Sequence, residues 1–358
     1  MRWMEISRRG LLAGAASLAL ARPATATTTR LVSAARGTDG VDRAVAVDGD
    51  GRLLFSVALP GRGHAAAPTP DGTGLVMVAR RPGTWLALLD LADGRWRRQA
   101  RLPSGRHVYG HAVYGPAGRL YVCENDIDSG EGRIAVYDAA LTRIADFASG
   151  GIGPHQLLFA DGALVVGNGG NVTHPASGRE VLNLADMKPN LSWLDPADGR
   201  VLRQVALPPR WHQLSLRHLA PVGDGRIAVA GQHQGPASER PPLLAIADAD
   251  GLHPVEVPDT VSRRWRNYAG SVAVDVSGTF AAVSHPRGGL VTFYRLDRPA
   301  YLGMWAIPDA CGVAPAPAAG RFWISDGFGG LRQADAATGQ IKRVAALTLA
   351  WDNHLTVA

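Results

Sequence analysis

The sequence predicts an all-β protein, a seven-bladed β-propeller whose ring closes by pairing the C-terminal strand with N-terminal strands. Three observations lead there. Histidines recur at His64, His111, His155, His218 and His354, the first three separated by 47 and 44 residues. They precede paired apolar runs joined by a Gly- or Asp-centred turn, as in GHAVYGPAGRLYVC (110–123) and PHQLLFADGALVVG (154–167). A repeat of roughly 40 to 50 residues holding several short strands is the pattern of propeller blades.

Taken in order, residues 1–26 read as a twin-arginine export signal. SRRGLL (7–12) carries the arginine pair, the apolar run LLAGAASLALA follows, and Ala24-Thr25-Ala26 offers a small-residue cleavage site. The run is too short to span a bilayer as a helix. Export by this route implies the periplasm or the outer cell surface. Residues 27–358 are then one propeller domain. Within 111–149 the strand-like runs are HAVYG, LYVCE, RIAVYD and TRIADFA, punctuated by PAG, NDIDSGEG and AA. Such regular turn chemistry is the all-β pattern, and no long stretch after the signal has helical apolar periodicity. Later repeats begin near His218, Ser271, Gly312 and His354. Residues 351–358 look like a first strand, whereas 29–59 supply later strands without a first. The two ends together complete one blade and remove the exposed edges of an open array.

Composition excludes one class of partner. Setting aside Arg2, Arg8, Arg9, Arg22 and Glu5 of the signal lowers the formal charge from +6 to +3, with 33 basic and 30 acidic residues. That is an ordinary surface and not a nucleic-acid footprint. The two cysteines, Cys123 and Cys311, fall in the second and sixth blades, too far apart around the ring for the close Cα approach of a disulfide.

In a four-stranded antiparallel blade, the loop into the first strand and the loop out of the second lie on the same face of the disc. Both sets therefore line one mouth of the central channel. Imidazoles around a narrow mouth suit a transition metal such as iron, copper or zinc. The metal-ligand candidates are His107, His111, His155, His218, Cys311 and His354. Cys311 takes the histidine's place in ACGVAP, and His107 and His111, four apart in RHVYGH, share a side of an extended strand. Tyr109, Glu124, Asn125, Asp126, Asn168, Tyr268 and Arg287 are the ligand-binding candidates, with Arg80, Arg81, Asn171, His174, Gln232 and Gln234 on the same set of exits. A recurring histidine also has a purely structural use, hydrogen bonding to the next blade, and the acidic and Asn-rich exits are also ordinary turn formers. No nucleophile elbow and no phosphate loop opening a helix is present, so no catalytic set is defined.

The succession RHVYGHAVYGPAGRLYVCENDIDSGEGRIAVYD, GIGPHQLL, GNGGNVTHPASGREVLNL, LPPRWHQLSLRHLA, YAGSVAVD, SHPRGG and ACGVAP, between about Gly61 and Gly330, resembles the bacterial family called domain of unknown function 1513. The resemblance implies an exported seven-bladed propeller, a role in periplasmic iron acquisition, and imelysin-like or di-haem peroxidase-like proteins as partners. The chain departs from the family pattern in having Gln156, where Glu is usual, and Cys123, where a small or hydroxyl residue is usual.

The leading expectation is a periplasmic, non-enzymatic propeller that binds iron, copper, another metal or haem, or docks a metal-handling partner. One alternative is a propeller enzyme, either a lactonase-like hydrolase or a metal-dependent oxidoreductase, marked by a carboxylate beside a histidine in a deep channel. The other is a pure protein-interaction scaffold whose histidines bond between blades. Neither a nucleic-acid partner nor a membrane span is expected.

Overall fold

The structure is a computed structural model that describes residues 29–358; the expected export signal lies outside them. Seven antiparallel sheets form the blades of a propeller. Blades I to VI follow in chain order through residues 63–101, 106–148, 154–205, 214–254, 271–306 and 310–346, four strands in each. Blade VII joins Arg30–Gly37, Asp42–Asp48 and Leu53–Ala58 to an inner strand made from Leu349–Trp351 and Thr356–Val357. No helix among the described residues is long and apolar enough to cross a membrane.

Burial within a blade follows from its position in a stack. The second and third strands are sandwiched between neighbouring blades, so they read as continuous apolar runs: all of Gly74–Ala79 is buried, and so is Trp85–Asp90 apart from Asp90. The outermost strand faces water and is polar, as in Trp96–Arg101. The ring closes where expected, with Ala35 opposite Trp351 and Leu31 opposite Val357. The inner strand of this blade is interrupted, however, over residues 352–355. There the Asp352 amide donates to the Ala34 carbonyl at 2.9 Å, and the Ser33 hydroxyl donates to the His354 carbonyl.

The same interruption recurs as a bulge. Inner-strand register slips at His64–Ala65 in blade I, Tyr109–His111 in blade II, His155 in blade III, Arg217 in blade IV and Cys311–Gly312 in blade VI. Only blade V, whose inner strand is the short Ser271–Val274, pairs without a slip. A bulge leaves residues out of the ladder and re-aims their side chains.

In blade II the first strand starts at Arg106, earlier than the HAVYG run implies. Its bulge also breaks the period of two on which the pairing of His107 with His111 rested. His107 stays opposite Asn125 in the ladder, while His111 lies in the slip. Gly110 makes this possible: its φ is +110°, and a Cβ there would lie 2.2 Å from His64 Cδ2. Gly110→Ala should therefore combine backbone strain of roughly 1–3 kcal/mol with displacement of the His64 ring. Urea denaturation should show a loss of at least that size, larger than for Gly118→Ala, whose site also has positive φ but open space around it.

Candidate metal centre

Five blades adjacent around the ring, VII and I to IV, each deliver one histidine from the break in its inner strand or beside it. His64, His111, His155, His218 and His354 pack ring against ring, with eight centroid separations between 4.4 and 5.8 Å. His64, His111, His218 and His354 are buried, and His155 keeps a partly exposed edge. Two triads have ligand nitrogens all within 4.8 Å of one another: His64 with His111 and His155, and His111 with His218 and His354. His111 belongs to both.

Several of these nitrogens have no hydrogen-bond partner: Nε2 of His111, Nδ1 of His155 and both nitrogens of His218. Buried polar atoms are normally satisfied, so converging orphans mark a place built for something else. His354 Nε2 lies 3.2 Å from His64 Nε2. That is a hydrogen-bond separation, and it links the first triad to the second. Behind His64, the Asp352 carboxylate accepts at 3.3 Å from Nδ1, the arrangement that orients a metal-binding imidazole and raises its basicity.

The protonation states suit ligation. Burial holds His111, His155, His218 and His354 well below the ordinary imidazole value, with neighbouring imidazoles, and Arg217 for His155 and His218, lowering them further. Burial also lowers His64, although Asp352 pulls it back. Burial alone would raise the Asp352 carboxyl, but His64, Arg62 and Arg80 hold it far below the usual carboxylate range. The five rings are thus neutral lone-pair donors at physiological pH.

Of the expected metal ligands, His111, His155, His218 and His354 come together, joined by the recurrent His64. His107 and Cys311 are in neither triad. His107 bonds through Nδ1 to the Val108 carbonyl at 3.1 Å and lies against Tyr109. Cys311 is a buried free thiol directed to the Asp309 carbonyl at 3.1 Å, and burial with Asp309, Asp352 and Asp326 nearby pushes its ionisation up. Cys123 is likewise a free, buried thiol.

A cavity of about 360 Å³ adjoins the cluster, reaching it at His64, His155 and His218. Tyr109, Tyr268, Arg287 and His107 line it; Glu124, Asn125, Asp126 and Asn168 do not. Glu124 is fully buried and takes Arg143 Nη1 on both oxygens at 2.8 and 2.9 Å and the Tyr137 hydroxyl at 3.1 Å. Asp126 closes a turn by accepting from the Ser129 amide at 3.0 Å. Asn168 ties Ser149 to Asn190 within the blade II and III contact. Asn125 sits one step back, 3.4 Å from the Tyr109 hydroxyl. The single-file reading of the sequence missed Arg217 and Asp352. Arg217 directly precedes His218, and Asp352 lies two residues before His354; strand alternation would turn Arg217 away from the side His218 occupies, but the slip at Arg217 brings Arg217 and His218 to the cavity together.

These features define a seven-bladed β-propeller with a histidine cluster where its inner strands converge. Residues 57–358 match the family model described as protein of unknown function (DUF1513), and the chain belongs to that family. No curated protein matches it in sequence. In fold it is similar to the periplasmic gluconolactonase PpgL of Pseudomonas aeruginosa, at 14% identity and TM-score 0.66 over 92% of this chain and 99% of that one. It is also similar to Kuenenia stuttgartiensis hydrazine synthase, at 17% identity and TM-score 0.59 over 84% and 88%. Citrobacter koseri AztD is a third such structure, at 11% identity and TM-score 0.57 over 92% and 98%.

Because the folded imidazoles titrate below the unfolded value of about 6.5, the folded state binds fewer protons than the unfolded chain beneath that pH. Stability of the metal-free protein should be full above about pH 6.5 and fall as pH drops toward the folded values. Denaturant titrations at pH 7.5 and 5 should show this loss, with a shallower dependence in His218→Gln; an identical slope in the variant would contradict the assignment.

Proposed function

We propose that this protein is a periplasmic metal-binding propeller that serves iron acquisition. The observation that carries the reading is the convergence of five neutral imidazoles, three of which (His111, His155 and His218) have unpartnered nitrogens, backed by a carboxylate on His64. An all-imidazole set suits iron, copper, zinc or nickel and disfavours hard cations such as calcium. Iron and the periplasm enter through the family resemblance and the arginine-pair signal, and imelysin-like or di-haem peroxidase-like proteins are the corresponding partners.

Three of the rings, His64, His111 and His354, pack with centroids 4.4–5.0 Å apart, too close to sandwich a porphyrin plane between them, which favours a bare ion over haem. A hydrolase of the lactonase type would use a carboxylate at the cavity, but none of its described lining residues is acidic, and Glu124 is engaged by Arg143. The interaction-scaffold reading expects the histidines to be spent on blade contacts, which leaves the orphaned nitrogens unexplained.

Metal-free protein should bind a transition ion, and free metal at 100 times Kd should raise unfolding free energy by about 2.7 kcal/mol. His111→Ala, which removes the ligand common to both triads, should weaken binding at least about tenfold. Elemental analysis and melting temperature with iron(II), copper(II) and zinc(II) separately provide the measurement. No bound metal and no shift with any of them would remove the reading.

A further inference from the structure

The cavity beside the histidine cluster is lined by Arg80, Arg81, Arg179, Arg217 and Arg287, with no Asp or Glu among its lining residues. The five guanidiniums come from blade I, the blade III insertion, and blades IV and V, so the fold gathers them from distant parts of the sequence. Elsewhere, guanidiniums meet carboxylates, as in Arg97 with Asp90 at 2.8 Å and Arg133 with Asp146 at 2.7 Å. Here three of the five meet neutral groups. Arg81 donates to Thr173 Oγ1 at 2.6 Å, Arg217 donates to Asn171 Oδ1 at 3.3 Å, and Arg287 lies 4.3 Å from the Tyr268 ring centroid. Arg80 is 4.0 Å from Asp352, a carboxylate already engaged by Arg62 at 2.6 Å and by His64.

Arg217 is the sharpest of these. It is 8% exposed and its Nε has no partner, so a buried cation with unused donor capacity faces the cavity. A buried cation with further cations beside it is unfavourable without a counter-charge. The guanidinium fork matches carboxylate and phosphate oxygens, and a volume of about 360 Å³ lies at the small end of ligand sites.

We propose that this cavity is a binding site for a small molecule carrying two or more anionic oxygens, a polycarboxylate or a phosphate. The inference goes beyond the metal reading, because the guanidiniums bind the anion whether or not the histidines hold an ion. An anion seated here also faces His64, His155 and His218, so its oxygens stand within reach of a metal at the cluster. Affinities for anion and metal are then coupled, each raising the other by the same factor.

The test is calorimetric titration of metal-free protein, at low ionic strength, with citrate and separately with inorganic phosphate. One saturable site is expected, and the tighter of the two probes identifies the oxyanion class. Arg217→Met and the double variant Arg179→Gln/Arg287→Gln should each weaken binding about tenfold or more. The double variant alters only exposed side chains and covers the case in which Arg217→Met does not fold. No binding of either probe to the wild-type protein, or undiminished binding in the double variant, overturns the proposal. Since the titration contains no metal, its outcome is independent of whether the histidines bind one.

Discussion

The structure depends on a break in hydrogen bonding at the innermost strand. A regular ladder would alternate side chains between the two faces of each blade, toward the neighbouring blades, and leave few of them aimed along the inner edge. In six of the seven blades the register slips or the strand is interrupted there, at His64, Tyr109–His111, His155, Arg217, Cys311 and residues 352–355. The cost is a local loss of ladder pairing. The result is a set of side chains turned into the one space that all the blades share.

This explains what could and could not be read from the chain. Blade number, ring closure and the recurrent histidines follow from periodicity, because each blade must bury the same apolar pattern against its neighbour. Bulges have no comparable periodic signal. Hence His107, which alternation paired with His111, remains in the ladder, and Arg217, which alternation would turn away, reaches the cavity beside His218. At Gly110 the φ of +110°, which has no place in a regular strand, is visible only in the folded chain. The acidic run at 124–126 drew attention for its chemistry. Tertiary contacts decided otherwise, because Arg143 and Tyr137 reach Glu124 from strands that come later in the chain. Asp352 was equally invisible, as its partners Arg62 and His64 lie 290 and 288 residues away.

Two electrostatic regimes sit side by side. The histidine cluster sheds charge: burial leaves the imidazoles neutral, and the one carboxylate near them is neutralised by arginines behind it. The adjoining cavity retains charge, since even Arg217, lowered by burial to about 10, stays protonated in neutral solution. Neutral donors beside fixed cations form a polarised pocket in which lone pairs and positive charge face the same volume. The arrangement separates soft nitrogen ligation from oxyanion recognition while keeping the two within contact.

Ring closure has a kinetic side. Ser33 and the backbone of His354 are bonded across 321 positions of sequence, and the histidine that completes the cluster lies in that same interruption. On a growing chain, the blade VII strands within 30–58 are made before blades I to VI and must wait for an inner-strand partner that comes at residues 349–357. Joining segments so remote is entropically the most demanding step of a propeller's assembly. His354 therefore joins the other four histidines only when the ring closes, so the complete set of five distinguishes a closed ring from an open one.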